Sequence, residues 1–184
     1  RDVAPSRGLG DVYKRQVKFI YNPFYKVTNS IASLWFAKEY LIGDVTVLNA
    51  DVVFDNNLCE QIIVKKVKNP SVLVDSSIKA DGDYNVQVHG EYITVMSKAL
   101  KDYYAEYAGI TKLDKISSGL LKSEIDEMVI KGYYDQWYEN ALVQMIFMYN
   151  FELRYFDICN YHWTEVDNVD DLLNAKRIHN TILG

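Results

Sequence analysis

Val45-Thr46-Val47-Leu48-Asn49-Ala50-Asp51-Val52-Val53-Phe54-Asp55 is the stretch on which the fold turns, because an apolar run ends there in an acidic turn. Val45, Val47 and Leu48 suit a buried parallel strand, and Asn49 to Asp51 then stand where that strand leaves its sheet. Open α/β sheets bind ligands just outside the carboxyl ends of their strands. A carboxylate at that edge, Asp51, either holds a hard cation such as Mg²⁺ against phosphates or serves as an ordinary turn former. The stretch alone leaves both readings open.

Working outward, the pattern before Val45 predicts a strand over Val17–Tyr21, a turn at Asn22-Pro23, and a helix capped by Thr28 that ends near Gly43. Ile31, Leu34 and Trp35 recur on that helix at the spacing of one buried face. After the acidic turn, Asn56 or Asn57 caps a second helix carrying Leu58, Ile62, Ile63 and Val67, and Asn69-Pro70 stops it. Ser71–Asp75 is the third apolar strand. Strands and helices alternating through short connections imply parallel pairing with right-handed crossovers, half of a doubly wound sheet.

Beyond Asp75 the period changes. Tyr84–Val88 and Tyr92–Met96 alternate around His89-Gly90-Glu91, which predicts a hairpin and an antiparallel section. Glu106–Leu113 reads as a strand, Ser123–Lys131 and Asn140–Tyr149 as helices, and Phe151–Asp157 as a strand. Trp163–Asp167 is extended, and Asn168 with Asp171 three residues on opens a final helix in the manner of a capping box. Asp51 and Asp167 are therefore two acidic strand ends, candidates for one divalent-cation site or, in the plainer reading, a turn residue and a helix cap.

At 184 residues, 49 % hydrophobic and 24 % charged, the chain is long enough for one globular domain with its own core. A formal charge of −5 provides no basic footprint for a nucleic-acid partner. Cys59 and Cys159 stand in neither a C-x-x-C pair nor a zinc spacing, so reduced thiols are expected. No apolar segment has the length of a membrane span, and a cytoplasmic location is expected. His89, His162 and His179 are scattered, with no Ser-His or Cys-His signature of a covalent nucleophile.

Taken together, Asn22-Pro23-Phe24-Tyr25, Thr28 to Leu34, Leu48-Asn49-Ala50-Asp51, Glu106 to Thr111 and Trp163 to Asp167 resemble the nucleotidyltransferase family, in order and spacing, and in particular its bacterial choline-phosphate cytidylyltransferases. The resemblance implies an α/β, Rossmann-like three-layer fold with a mostly parallel central sheet and a small antiparallel section. It implies transfer of a cytidylyl group from CTP, with Mg²⁺, to phosphocholine or a related phospho-amine. Other acceptors in view are 2-aminoethylphosphonate and sugar phosphates, and a non-catalytic nucleotide- or amine-binding module is the reading from another class. A homodimer is compatible with it.

Carried over by position, the resemblance makes Asp51 and Asp167 the Mg²⁺ ligands. It sets Thr28, Asn29 and Ser30 against the nucleotide base and Asn49 and Ala50 beside the metal. Lys98 falls near the phosphates, and Glu106, Trp137, Tyr138, Glu139, Trp163 and Glu165 fall in the acceptor pocket. One departure stands out: the family's first strand, its glycine-rich basic loop and the Pro-Lys element after it have no counterpart, and Gly8 and Gly10 do not replace them. Such a loop binds the triphosphate through backbone amides, so this chain is expected to be a poor catalyst by itself. Residues 1–16, of which Arg7–Gln16 resembles translated sequencing-adapter sequence, are expected to be a foreign leader to a domain over 17–184. Tyr133, Tyr134, Trp137 and Tyr138 cluster beside Asp135 and Glu139. An aromatic cage of that kind favours a quaternary ammonium, which points to phosphocholine, although such stripes are also ordinary core.

Overall fold

The structure, a computed structural model, describes residues 17–65, 68–78 and 84–182. The expected leader over residues 1–16 and the helical position of Val67 lie outside those residues. No strand forms at Val17–Tyr21: these side chains are exposed, Phe19 at 92 %, and no neighbouring strand pairs with them among the described residues. A β-rich sequence becomes a strand only where a partner offers hydrogen bonds.

Helix α1 spans Ser30–Phe36 and ends well short of Gly43, followed by a tight turn over Lys38–Tyr40. Its cap is Asn29, whose side chain accepts from the Ser30 amide at 2.7 Å. Thr28, the expected cap, is committed elsewhere: its hydroxyl donates to the Phe24 carbonyl and receives Asn22 Nδ2. Strand β1 (Val45–Leu48) and strand β2 (Val52–Phe54) flank the acidic turn. A wide, π-type helix over Leu58–Val64 follows, opened by Asp55, which accepts from the Leu58 amide at 2.7 Å, and by neither Asn56 nor Asn57.

Strand β3 (Ser71–Asp75) is buried along its whole length, and β4 (Asn85–His89) with β5 (Tyr92–Ser97) makes the expected hairpin. The nine-residue strand β6 (Ala105–Leu113) then takes the centre, antiparallel to β1, β3 and β4. Helices α2 (Lys115–Ile130) and α3 (Glu139–Tyr149) precede β7 (Arg154–Asp157), β8 (Trp163–Glu165) and α4 (Val169–Ile182). Asp114 and Ser117 form a reciprocal capping box at the start of α2. Asn168 and Asp171 do the same for α4: Asn168 Oδ1 accepts from the Asp171 amide, and Asp171 Oδ2 from the Asn168 amide.

The pairings correct the expected mostly parallel sheet. Among the described residues only β3 and β7 pair in parallel, and β3, β7, β5, β4 and β6 close into a five-strand ring with β1 outside on β6. β1 and β3 do run the same way, as their helical connection requires, but the long apolar β6 inserts antiparallel between them. As an edge strand, β1 alternates half-buried and exposed rather than being buried on both faces. Along β3, Val72 and Val74 face the large core shared with α1, α2 and α3, while Leu73 faces a smaller cluster under the π-type helix with Leu58, Ile62 and Ile158. This alternation gives the molecule apolar layers on both sides of the strand. β2 and β8 form a separate two-stranded antiparallel ribbon, on which α4 packs. Among the described residues no helix is long and apolar enough to cross a membrane.

Candidate active site

The site begins with an irregularity in β6. Opposite the single residue Leu73, β6 carries Ala108, Gly109 and Ile110, so the strand bulges outward. Gly109 has φ +70°, and a Cβ there would stand 2.6 Å from Val52 Cγ2 and 3.1 Å from Asn49 Cβ. Glycine is required both by the conformation and by the approach of the neighbouring chain. The Gly109 carbonyl accepts from the Asn49 amide at 2.9 Å, which fixes the turn after β1 against β6.

From that turn the chain enters the ribbon. The Val166 amide donates to the Asp51 carbonyl at 3.0 Å, and Val52 lies across from Glu165. The backbones carrying Asp51 and Asp167 thus meet at one end of the β2–β8 ribbon, and both residues are exposed. The Asp167 amide is held by Asp171 Oδ2 at 3.1 Å.

Two cavities adjoin at Glu165. The larger, about 280 Å³, is lined by Asp75, Glu106, Trp163, Glu165, Asp167 and Asp171, with Ile78 and Thr164. Its acids are well anchored: Asp75 is 6 % exposed, Oδ2 receives Trp163 Nε1 at 2.8 Å, and Oδ1 receives the Ser77 amide and hydroxyl. Glu106 lies directly across the strands from Asp75 and Asn85. The smaller cavity, about 20 Å³, is a chamber lined by Asn49, Tyr84, Lys98, Tyr107, Trp137 and Glu139, with Glu165 shared. Glu139 opens α3 and is buried; Oε1 receives Asn49 Nδ2 at 3.5 Å, and Oε2 has no hydrogen-bond partner among the described residues. Burial pushes its carboxyl up to about 7, with the nearby Asp51 charge acting in the same direction and Asn49 and Lys98 opposing. The Lys98 ammonium sits 4.2 Å from the centre of the Trp137 ring.

Asn49, Asp51, Lys98, Glu106, Trp137, Glu139, Trp163, Glu165 and Asp167 are therefore gathered around two joined cavities and one ribbon end. Thr28, Asn29 and Ser30 line neither cavity. Ser30 Oγ accepts from the Tyr138 amide at 2.9 Å and the Asn29 amide donates to the Tyr134 carbonyl, so this segment braces the approach to α3. Ala50 is an exposed turn residue. The aromatic cluster is dispersed: Tyr138 is in the core, its hydroxyl bonded to Tyr107 and Thr111, and Tyr134 lines a separate apolar cavity of about 350 Å³ with Thr28, Phe24 and Trp35. Burial holds the Tyr107 and Tyr138 hydroxyls well above the usual phenol range.

Among lining residues the sequence did not single out, Asp75 carries the same signal as Asp51, an acid at the end of an apolar strand. Tyr84 and Tyr107 carry none, since their place on the chamber wall follows from pairing. Among the described residues no three of His, Cys, Asp and Glu gather closely enough to hold a metal by themselves. Mg²⁺ asks for less, since one or two carboxylates suffice when substrate phosphates and water complete the octahedron. Asp51 and Asp167 at one ribbon end fit that donor set.

No protein-family model and no curated protein matches the chain. Solved structures do. The CTP:phosphocholine cytidylyltransferase of Streptococcus pneumoniae superposes with a TM-score of 0.69 at 18 % identity, over 90 % of this chain and 70 % of that one. The inositol-1-phosphate CTP transferase of T. maritima gives 0.62 at 16 % identity, over 82 % of this chain and 62 % of that one. A putative glucose-1-phosphate thymidylyltransferase of Bacillus anthracis gives 0.61 at 16 % identity, over 83 % and 61 %. The chain spans roughly six to seven tenths of these proteins. At such identities the likeness speaks to architecture, and on that ground the chain has the nucleotidyltransferase fold.

Proposed function

We propose that the chain is a nucleotidyltransferase that transfers a cytidylyl group from CTP to the phosphate of a small phosphorylated amine, phosphocholine being the acceptor that the sequence resemblance implies. The observation that carries this reading is the Val166–Asp51 backbone bond, which brings two acidic strand ends from distant parts of the sequence to one edge beside the polar cavities. In the reaction a phosphate oxygen of the acceptor attacks the α-phosphorus of CTP in line. The bond from that phosphorus to the bridging oxygen breaks, and pyrophosphate leaves with the electron pair. Asp51 and Asp167 would hold Mg²⁺, which when bound offsets charge on the phosphates. Asn49, tied to β6 through Gly109, orients the nucleotide side of the site. Lys98, exposed at the chamber mouth, meets phosphate charge. Glu165, shared by the joined cavities, attracts the cationic head of the acceptor, and Glu139 faces it as a hydrogen-bonding group. Thr28, Asn29 and Ser30, which line neither cavity, act through the approach to α3 that they brace.

The test is calorimetric titration of the chain with CTP, with and without Mg²⁺, followed by pyrophosphate release on adding phosphocholine. Mg²⁺-dependent binding that Asp51→Asn weakens at least about tenfold supports the reading. Equal binding of CTP, UTP, ATP and GTP, or the same affinity in the variant, counts against it.

A further inference from the structure

Glu139 is 2 % exposed, yet one of its oxygens has no partner among the described residues. An unpartnered carboxylate oxygen in a buried position is costly unless a ligand or solvent donor meets it. The groups around it are mostly engaged. The Tyr84 hydroxyl donates to Asn140 Oδ1 at 2.7 Å, and the Tyr107 hydroxyl is bonded with Thr111 and Tyr138. The adjoining chamber of about 20 Å³ accommodates a group the size of one water molecule. Trp137 also lines the chamber, and the Lys98 ammonium stacks on its ring.

We infer that Glu139 is a specificity-determining residue whose Oε2 selects, among small phospho-amines, acceptors whose head presents an N–H over those whose nitrogen is fully methylated. This rests on the phospho-amine reading above and refines it. A primary ammonium is one heavy atom with three donors, so it is small enough for the chamber that Glu139 lines and carries the donor that Oε2 lacks. A trimethylammonium has no donor, is too large for the chamber, and competes with the Lys98 ammonium for the Trp137 ring. The geometry thus reverses the preference that the aromatic cluster suggests in the sequence.

The experiment is calorimetric titration of the chain, with CTP and Mg²⁺ present, by O-phosphoethanolamine, its N-methyl and N,N-dimethyl forms, and phosphocholine. Phosphoethanolamine is expected to bind at least about tenfold tighter than phosphocholine, with the steepest loss at the last methyl, where the final N–H disappears. Glu139→Gln is expected to narrow that ratio by about tenfold, weakening phosphoethanolamine far more than phosphocholine, whereas a merely structural role would weaken all four alike. Phosphocholine binding as tightly as phosphoethanolamine, or a variant that shifts all four equally, overturns the inference and leaves the phospho-amine reading standing. Binding of none of the four overturns both. Should Glu139→Gln fail to fold by circular dichroism, the methylation series in the parent chain decides alone.

Discussion

Asp75 and Glu139 are both carboxylates more than nine-tenths buried, on either side of Glu165, and the protein treats them in opposite ways. Asp75 ends a buried strand and receives three hydrogen bonds, from Trp163 and from Ser77 twice. Glu139 receives one long side-chain bond, from Asn49, beside its own backbone amide, and keeps one oxygen without a partner among the described residues. Burial by itself therefore does not decide what an acid is for. The count of donors aimed at it does: the well-bonded acid belongs to the framework, and the under-bonded one is poised for a ligand or a proton.

The heaviest blow to this arrangement would fall on what both acids depend on, the β6 bulge. Gly109→Ala meets Val52 at 2.6 Å and forces a positive φ on a residue with a Cβ. A loss of roughly 2–4 kcal/mol is expected in urea denaturation. A loss under about 0.5 kcal/mol would mean the turn at Asn49 yields easily, and the site is softer than drawn.

Next in size is the acid poised for a proton. In the folded chain Glu139 keeps its proton up to about pH 7, against an ordinary value of 4.5. The folded state therefore binds more protons than the unfolded state across that window. Its contribution to stability is full at low pH and declines as pH rises through it, by on the order of 3 kcal/mol. Glu139→Gln should flatten that slope and melt at a higher temperature than the parent at pH 8. An unchanged slope would show that Glu139 is not the under-bonded acid described.

Asp75→Asn should act in the opposite direction, destabilising by about 1–2 kcal/mol as charge-assisted bonds to Trp163 and Ser77 weaken. If both substitutions stabilise, the contrast between the two acids collapses. The smallest effect belongs to Lys98→Met: its ammonium opposes the rise at Glu139, so its removal should move the Glu139 midpoint upward, as followed by carboxyl NMR resonances.

Much of the fold was legible as local pattern. β3, the β4–β5 hairpin, β6, α3 and the capping box of α4 follow from hydrophobic period and turn chemistry. Pairing was not. Short connections around β1 and β3 imply neighbours in parallel, and nothing nearby announces that a strand from the middle of the chain separates them. β2 was equally hidden: Val52–Phe54 is a strand because Trp163–Glu165 lies beside it. At α1, adjacent Thr28 and Asn29 both qualify as caps, and only tertiary bonds from Asn22 and Phe24 assign Thr28 elsewhere. Asp51 and Asp167 stood out as strand ends, while Asp75, with the same signal, was passed over. The chamber was beyond sequence reasoning, since an oxygen without a partner is a property of the packed state.

The β2–β8 ribbon has a bearing on the order in which the molecule is made. Its two strands are separated by more than a hundred residues, so during synthesis Asp51 leaves the ribosome long before β8 does. At translation speeds of roughly 5–20 residues per second, the acidic edge stays half-built for about 5–20 seconds. If the chain acts as proposed, a nascent copy has little hold on nucleotide until β8 arrives, and ligand binding becomes a late event that rewards a chain with both strands made.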